Sequence, residues 1–517
     1  MSSQASPDQP EMTTLAEGVE ITAAAWSGAT KKVLTPEAVA LVAGLHRELE
    51  GERQALLEAR RAWQKEIDGG KLPEYPDRDS EAIRGDWRVD PIPADLTDRR
   101  VEITGPVNSA KMVINMLSRT GAGARADTAM LDFEDAMKPI WQNLMDGVLN
   151  VGEAAKGSLS HVESRGDGSE GKTYRLDPDD MAVIIVRPRG LHLDEVNLRV
   201  DGAAVSGALL DTALTFFHAG QSLLALGKTP NYYVPKTEHY PEAAWWARLF
   251  TGLEENQGLK VGTIKATFLI ETLPAAFEME EILFAARRHA AGLNVGRWDK
   301  IFSDIKTMQA HPDRVMADRA SITMQRPWME SYAKRCVHVC HSRGAFAMGG
   351  MAAFTPGKSP EVRQQQSDKV LEDKKWEAAA GHDGCWVSHP YFIGPAKEAF
   401  TRQNQLDVLY SEAERYPELL PQSTGPKTMG GLRTNVRVGI AYLNGWRNGV
   451  GCVAWDNLME DLATLEISRT QTWQWLRYAV QLDDGPAVTE ELVRGTFAEE
   501  LEKIEAEARQ EMAGRSA

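Results

Sequence analysis

Cysteine is scarce in this chain, with four residues among 517. So few thiols exclude the disulfide framework on which small secreted proteins depend. The one close cluster joins Cys336 and Cys340 to His338 and His341. On a helix the two cysteines share a face while His338 points elsewhere, and structural zinc usually takes its ligands from two separated pairs. We therefore expect buried helical cysteines here and not a zinc site.

Long apolar runs and an excess of positive charge are also lacking. No stretch approaches the roughly 18 apolar residues of a membrane span, and the formal net charge of −16 argues against a nucleic-acid surface. Residues 1–20 are polar without the apolar centre of a secretion signal, so we expect a flexible tail there. The final residues RSA do not match a peroxisomal SKL address. We expect a cytoplasmic protein with no nucleic-acid or membrane partner, and the choice between monomer and homo-oligomer stays open.

The centre of the chain alternates short apolar or β-branched runs with turns and helical stretches. Eight runs lie between residues 101 and 392: VEITGP, TAMLDFED, AVIIVRPRG, YYVPKTE, TIKATFLIET, GLNVGRWD, GAFAMGGM and CWVSHP. This alternation is typical of parallel βα units, and eight units predict a closed (β/α)₈ barrel of the TIM type in the α/β class. Helical signals cover residues 35–71 before a proline-rich passage, and the chain is helical with loops from about residue 396.

Ionisable residues close several of these runs. Barrel enzymes carry their chemistry where strands end and βα loops begin, so polar side chains there are site candidates. Solvated loop charges are the alternative, and they explain a single member better than the whole set. The candidates are Asp132, Glu134, Arg187, Arg189, Lys236, Glu271 and Asp299.

Two of the candidates suit a metal ion. Glu271 and Asp299 are hard oxygen ligands on predicted adjacent strand ends, and a two-carboxylate site with open positions favours Mg²⁺. Asp132 and Glu134, spaced i and i+2, point to one side of an extended chain and are candidates for bonding the metal's waters. A bound cation also relieves the mutual repulsion of these carboxylates.

An arginine beside this cluster supplies a permanent cation that stabilises a developing oxyanion. Arg187 and Arg189 are both candidates. Their i, i+2 spacing places them on the same side of a strand, so alternation does not choose between them.

A carboxylate in the C-terminal region is a candidate base. Asn457 is a fair N-cap, with Glu460 three residues later as in a capping box, so we expect a helix to begin there. Asp461 would then lie in the first turn, where the helix dipole favours the ionised carboxylate. A merely favourable first-turn acid is the more common role of such a residue.

Six motifs in order resemble the malate synthase family, in its shorter, isoform A type. The most specific is RHAAGLNVGRWDKIFS at residues 288–303. The others are DFEDA at 132–136, RPRGLHLDE at 187–195, IKATFLIETLPA at 264–275, RGAFAMGGMAA at 343–353 and LMEDLATLEISR at 458–469. The resemblance implies a TIM barrel at residues 99–395, after an N-terminal tail and helical clasp at 1–98 and before a C-terminal helical domain at 396–517.

The resemblance also implies an activity and its residues. The activity is the Mg²⁺-dependent condensation of acetyl-CoA with glyoxylate and hydrolysis of malyl-CoA to malate and CoA, a step of the glyoxylate cycle. Asp461 becomes the base, Arg187 the residue that stabilises the enolate and holds glyoxylate, and Glu271 and Asp299 the Mg²⁺ ligands. The remaining implied contacts are the backbone of Gly296, Arg297, Trp298 and Asp299 for the glyoxylate carboxylate, and Met459 and Pro390 beside acetyl-CoA.

Two positions depart from the family signature. Arg288 stands where a small acidic or amide residue is usual, and Lys300 where a tyrosine is usual. Strand alternation would point Lys300 away from Asp299, which would leave the metal site intact.

Two other functions compete with this interpretation. The first is a CoA-ester lyase on a related barrel that cleaves malyl-CoA without hydrolysing it. The second is a catalytically silent scaffold. A C-terminal domain bearing Asp461 argues against the lyase, and intact ionisable groups argue against the scaffold.

Overall fold

A computed structural model describes residues 10–164 and 169–516, with side chains described up to residue 509. The strands are β1 (Met12–Ala16), β2 (Val19–Thr22), β3 (Val101–Pro106), β4 (Thr128–Asp132), β5 (Ser160–Ser164), β6 (Glu170–Arg175), β7 (Val183–Arg187), β8 (Asp194–Val200), β9 (Ala203–Ser206), β10 (Asn231–Val234), β11 (Lys265–Ile270), β12 (Ala290–Val295), β13 (Phe346–Ala352), β14 (Gly384–Val387), β15 (Val453–Trp455) and β16 (Leu458–Glu460).

The helices alternate with the strands through the centre of the chain. They are α1 (Gly28–Val33), α2 (Pro36–Asp68), α3 (Glu81–Arg84), α4 (Ala110–Leu117), α5 (Trp141–Ala155), α6 (Gly207–Ala225), α7 (Tyr240–Asn256), α8 (Leu273–Phe277), α9 (Met279–Ala285), α10 (Arg297–Thr307), α11 (Pro327–Ser342), α12 (Pro360–Ala379), α13 (Ile393–Ala399), α14 (Met429–Arg447), α15 (Leu462–Arg477) and α16 (Glu490–Ser516). No helix in the described ranges is long and apolar enough to cross a membrane.

Eight strands form a closed parallel barrel, as the alternation predicted. Its order is β3, β4, β7, β10, β11, β12, β13 and β14, and β14 pairs with β3 to close it. The strands are rich in valine, isoleucine and leucine and are buried on both faces, because side chains fill the inside and helices cover the outside. All eight carboxyl ends therefore lie at one end of the barrel, where most of the predicted site residues meet.

The long helix α2 confirms the predicted N-terminal helical region. Thr35 caps it by accepting a hydrogen bond from the Ala38 amide, and Pro36 occupies its first position. The apolar residues Leu41, Leu45 and Leu49 are buried on the face of α2 that packs against α6 and α7.

Part of the expected N-terminal tail belongs to a small sheet. Residues 1–9 lie outside the described residues, but β1 and β2 pair antiparallel with each other, and β2 pairs with β8. The expectation of a flexible tail is therefore wrong for residues 12–20, because Val19 is buried in the core beside this small sheet. Such short strands pair with a strand from a distant part of the chain. Their sequences show no periodic pattern that would predict them.

The C-terminal helices dock over the carboxyl end of the barrel. Helix α15 packs against α10, and its side chains bond the loop before α11: Gln474 accepts from the Met316 amide, and Trp475 donates to the Met316 carbonyl. A buried ion pair joins Arg319 of that loop to Glu460 at the end of β16. These contacts hold the segment that carries Asp461 above the barrel strands.

Candidate active site

A small chamber lies at the carboxyl end of the barrel, beneath the C-terminal helices. We name it the inner chamber, and its volume is about 40 Å³. Its lining residues come from the barrel strands, from α10 and from the segment before α15: Thr104, Asp135, Ala136, Arg187, Glu271, Asn294, Gly296, Arg297, Trp298, Asp299, Met351, Trp386, Met459, Asp461 and Ala463.

Arg187 is the last residue of β7 and points into the inner chamber. In the barrel Asp132 lies directly opposite it on β4, and two hydrogen bonds of 2.7 and 2.5 Å join its guanidinium to the two oxygens of that carboxylate. The guanidinium also lies 5.8 Å from the ring centre of Trp386. Asp132 therefore fixes the orientation of Arg187, while the remaining guanidinium nitrogen faces Glu134 at 3.6 Å and Asp135 at 3.8 Å.

Arg189 points away from the chamber. Its guanidinium forms buried ion pairs with Asp211 at 2.9 Å and with Glu195 at 2.8 Å. The expectation that both arginines share a side is wrong, because β7 ends at Arg187 and strand alternation stops there. Of the two arginines, only Arg187 lines the chamber.

Glu271 and Asp299 approach each other from consecutive βα units. Glu271 immediately follows β11, as predicted, and its Oε1 accepts a 2.7 Å hydrogen bond from the Lys236 amide. Asp299 does not end a strand: β12 stops at Val295 and Asp299 lies in the first turn of α10. A Cβ on Gly296 would lie 2.7 Å from the Cβ of Glu271, so only glycine allows these two segments to come so close.

The donor set fits a hard divalent cation. Five buried carboxylates lie near one another, and Arg187 and Lys236 are the cations beside them, so the cluster keeps a negative balance. In the described ranges no group of three or more acidic, histidine or cysteine side chains is arranged to hold a metal ion. Two carboxylates that leave the other positions to water and substrate are what Mg²⁺ commonly uses. The residues present therefore fit magnesium at Glu271 and Asp299.

Asp132 and Glu134 do not point to one side of an extended chain, and their carboxylates have different partners. Asp132 accepts hydrogen bonds from the amides of Glu134 and Ala136, both at 2.9 Å. Its oxygens therefore stabilise a tight turn and also bind Arg187. Glu134 lies beyond the strand end and 3.4 Å from the Lys236 ammonium. The i, i+2 argument is wrong here because the extended chain ends at Asp132.

Asp135 is a site residue that the sequence reasoning missed. It lines the inner chamber, its Oδ2 lies 2.7 Å from the Lys236 ammonium, and its buried Oδ1 has no hydrogen-bond partner in the described structure. The motif DFEDA contained it, but the turn that directs it into the chamber depends on the carboxylate of Asp132. No spacing rule distinguishes it from Glu134.

Burial and mutual repulsion shift the ionisation of these groups. Burial, followed by the neighbouring Asp135, raises the pKa of Glu134 well above its ordinary value. Burial also raises the pKa of Asp299, against the opposing effect of Lys236. For Asp135 burial acts in the same direction, but Lys236 and Arg187 together bring its pKa below the ordinary value. The two cations thus keep Asp135 ionised, while the whole cluster retains a tendency to bind a proton or a metal ion.

Asp461 reaches the chamber from the C-terminal region, but the local structure differs from the expected helix start. Residues 453–460 form a hairpin of β15 and β16, with Asp456 and Asn457 as its two turn residues at φ values of 47° and 62°. Helix α15 begins at Leu462, and Asp461 is its N-cap in a reciprocal capping box with Thr464. Asn457 and Glu460 therefore cap no helix.

The environment of Asp461 suits a proton acceptor. Burial, followed by the charge of Asp135, raises the pKa of Asp461 to about 7. Arg187 and the Thr464 amide act in the opposite direction. A carboxylate with a pKa near the working pH is the best compromise for general-base catalysis.

Of the expected substrate contacts outside the catalytic residues, some line the inner chamber and one does not. Met459 precedes Glu460 in β16 and lines the inner chamber. Pro390 begins a short 3₁₀ turn after β14, and it is not among the described residues that line this chamber. The segment from Gly296 to Asp299 lines the chamber at the start of α10, where the first amides of the helix have no partner within the helix.

The departures from the family signature lie outside the chamber. Lys300 is fully buried on α10, where its ammonium bonds Asp304 and lies 5.5 Å from the ring centre of Tyr332. It points away from Asp299, as expected, although the reason is the turn of a helix and not the alternation of a strand. Arg288 is exposed before β12, and its guanidinium contacts the Val261 carbonyl.

The two cysteines of the cluster at residues 336–341 are buried, and the neighbouring histidines have other partners. Cys336 and Cys340 are buried free thiols on α11. His341 lies 3.0 Å from the carboxylate of Asp383, and His338 contacts the Tyr410 carbonyl at 3.1 Å.

A larger cleft opens beside the inner chamber. We name it the outer cavity. It holds about 660 Å³ between α2, α10 and α15, and its walls include Arg60, Lys65, Phe302, Lys306 and Leu462. It shares Asp135, Glu271, Asp299 and Ala463 with the inner chamber. The site is therefore reached at the junction of the N-terminal helix, the barrel and the C-terminal helices.

The fold and this geometry define a (β/α)₈-barrel enzyme with an arginine and carboxylate site covered by a helical region. Family models described as "Malate synthase, TIM barrel domain", "Malate synthase, C-terminal" and "Malate synthase, N-terminal domain" match residues 183–418, 426–516 and 18–79. The chain belongs to the malate synthase family.

Two sequence relatives agree with this membership. The chain is 45% identical to Malate synthase A of Escherichia coli strain K12 over 488 residues, which cover 93% of this chain and 89% of that protein. It is 45% identical to Malate synthase of Myxococcus xanthus over 499 residues, 95% of this chain and 89% of the relative. A solved structure, the magnesium and glyoxylate complex of Haloferax volcanii malate synthase, matches with a TM-score of 0.47 and 15% identity over 74% of this chain and 91% of that one.

Proposed function

We propose that Asp461, Arg187, Glu271 and Asp299 carry the malate synthase reaction of this chain. The reaction joins the acetyl methyl carbon of acetyl-CoA to the aldehyde carbon of glyoxylate, and hydrolysis of the thioester then yields malate and CoA. The observation that carries the proposal is the meeting of Asp461 and Arg187 in one chamber with both candidate metal ligands. A base, an oxyanion partner and a cation site are the three elements that an enolate reaction needs.

Asp461 removes a proton from the acetyl methyl group. Its Oδ1 accepts a 3.3 Å hydrogen bond from the Thr464 amide, which fixes the direction of the carboxylate. Its environment raises its pKa to about 7, which makes it a stronger base than an exposed aspartate. Met459 precedes the base by two residues and supplies an apolar wall for the acetyl group.

Arg187 stabilises the negative oxygen that forms when the proton leaves. Its guanidinium is held by Asp132 and cannot lose its charge, so the donor stands in place before the reaction begins. The same guanidinium holds glyoxylate, and the amides at the start of α10 donate hydrogen bonds to the glyoxylate carboxylate. Glu271 and Asp299 would hold Mg²⁺, which would supply a Lewis acid for the glyoxylate aldehyde.

A lyase that stops at malyl-CoA is the alternative chemistry. The C-terminal region supports the synthase, because the segment that brings Asp461 into the chamber is the part of the chain that matches the C-terminal model of the malate synthase family. The cytoplasmic location and the domain boundaries at residues 98/99 and 395/396 stay predictions.

The purified full chain tests the function by release of CoA thiol. We expect thiol release from acetyl-CoA only when both glyoxylate and Mg²⁺ are present, with malate as the product. Thiol release that needs no glyoxylate indicates a simple thioesterase, and formation of malyl-CoA without thiol indicates the lyase.

A further inference from the structure

Lys236 lies among the site carboxylates but has no role in the proposed reaction. It follows β10 by two residues, and 16% of its side chain is exposed. Its ammonium lies 2.7 Å from Asp135, 2.9 Å from Asp299, 3.4 Å from Glu134 and 3.7 Å from Glu271. The ammonium is therefore surrounded by carboxylates from three neighbouring βα loops.

The backbone of Lys236 is as unusual as its side chain. Its φ of 53° is in the left-handed region, which a residue with a Cβ adopts at a cost. In this conformation its amide donates a 2.7 Å hydrogen bond to Glu271, while its ammonium contacts Asp299. One residue thus contacts both proposed metal ligands.

We propose that Lys236 is a built-in counter-ion of the metal site, which holds its carboxylates together before Mg²⁺ arrives and opposes the binding of the metal. This inference rests on the proposed role of Glu271 and Asp299 as ligands. Lys236 is a positioning residue, since it acts through those two carboxylates.

The sign of the effect follows from charge and distance. A divalent ion bonded to oxygens of Glu271 and Asp299 lies within a few ångströms of an ammonium that contacts the same two groups. The buried site screens the repulsion between a divalent and a monovalent cation poorly. This repulsion exceeds the stabilisation that Lys236 gives by positioning the two carboxylates for the metal. Before the metal binds, the same ammonium is favourable, since carboxylates left without a cation repel one another.

Lys236→Met tests the proposal, because methionine keeps most of the side-chain volume and removes the charge. The matched control is Lys306→Met: Lys306 also lines the outer cavity, but its ammonium pairs with Glu238 and its side chain is 45% exposed. Calorimetric titration of each full-length protein with MgCl₂, without substrates, measures the dissociation constant. Thermal unfolding with and without MgCl₂ gives a second measurement that does not depend on turnover.

We expect Lys236→Met to bind Mg²⁺ about tenfold more tightly than the wild type, or better. Its metal-free form should unfold at a lower temperature, and MgCl₂ should raise that temperature more than in the wild type. Lys236→Arg keeps the charge and should bind as weakly as the wild type, and Lys306→Met should match the wild type in both measurements.

The opposite outcomes separate this inference from the proposed function. Equal or weaker Mg²⁺ binding by Lys236→Met, with wild-type binding intact, overturns the counter-ion role alone. Tighter binding by Lys306→Met to the same degree also overturns it, because the effect is then one of general charge. Absence of Mg²⁺ binding in every variant contradicts the assigned ligands and the counter-ion role together.

Discussion

Asp461 and Thr464 cap each other at the start of α15. The Thr464 amide donates to Oδ1 of Asp461 at 3.3 Å, and the Asp461 amide donates to the Thr464 hydroxyl at 3.0 Å. The proposed base is thereby fixed to the first turn of a helix that packs against α10 of the barrel. The orientation of the base therefore depends on the docking of the C-terminal helices against the barrel.

Thr464→Val should lower turnover without abolishing it. Valine keeps the branched shape and the backbone amide that donates to Asp461, but it removes the hydroxyl that accepts from the Asp461 amide. One of the two bonds of the capping box is therefore lost while the base remains. We expect a loss of about 1 kcal/mol in unfolding free energy and a fall in kcat with little change in KM. Thr464→Ser retains the hydroxyl and should behave like the wild type. A variant Thr464→Val with unchanged kcat shows that the Thr464 hydroxyl does not orient the base.

Arg187→Lys should reduce kcat by roughly 100-fold or more, because lysine cannot form the two-point contact with Asp132 that fixes the oxyanion partner. Steady-state assays of thiol release measure the effect. Arg189→Lys is the matched control, since Arg189 pairs with Asp211 and Glu195 outside the chamber. It should lower the unfolding temperature and leave kcat close to that of the wild type. The reverse pattern would show that Arg189, and not Arg187, serves the reaction.

The rate should rise with pH through the region of Asp461. A base must be ionised, and burial raises the pKa of Asp461 to about 7. We therefore expect kcat/KM to rise about tenfold per pH unit below this value and to level off above it. A flat profile from pH 5 to 8 contradicts this assignment.

Stability should show the opposite dependence on pH. The pKa of Asp461 is raised on folding from its ordinary 3.8. Its contribution to unfolding free energy is therefore fully present below about pH 4 and is lost as the pH rises through 7. Denaturant unfolding of the wild type and of Asp461→Asn isolates this contribution, and the difference should favour the variant increasingly as the pH rises. A difference that does not change with pH shows that burial does not perturb this carboxyl.

Asn457→Ala should destabilise the hairpin that leads to the base. Asn457 has a φ of 62° in the two-residue turn between β15 and β16. Alanine in the left-handed region costs about 1 kcal/mol, whereas glycine adopts it freely. We expect faster proteolytic cleavage near residue 457 in Asn457→Ala, while Asn457→Gly matches the wild type. Equal cleavage of the two variants shows that turn strain does not control this segment.

The barrel was predictable from the sequence, and the finer arrangement of the site was not. The runs from VEITGP to CWVSHP alternate with helical stretches, and this periodicity depends on local sequence alone. Asp299 was predicted as a site residue, but its place on α10 depends on where β12 ends. The pair Asp456 and Asn457 suits both a helix cap and a hairpin turn, and pairing of Val453 with Glu460 decides between them.

Other contacts depend on barrel closure. Lys236 meets Asp135 and Asp299 because strand ends from separate units converge, and no spacing in the sequence predicts which side chain fills the space between them. Arg187 and Arg189 were equivalent by alternation, since the end of β7 was not visible in the sequence. The resemblance to the family selected Arg187, and the structure brings that residue into the chamber.

The most direct test of Asp461 as the catalytic base is thiol release by Asp461→Asn. Asparagine is nearly the same size, remains a good N-cap and cannot accept the methyl proton, so the fold should survive while the reaction stops. Asp456→Asn, the same substitution at the exposed hairpin turn, is the control and should retain full activity. We predict a fall in kcat of at least about 1,000-fold for Asp461→Asn, with an unchanged circular dichroism spectrum. A fully active Asp461→Asn enzyme would contradict the role of Asp461 as the base.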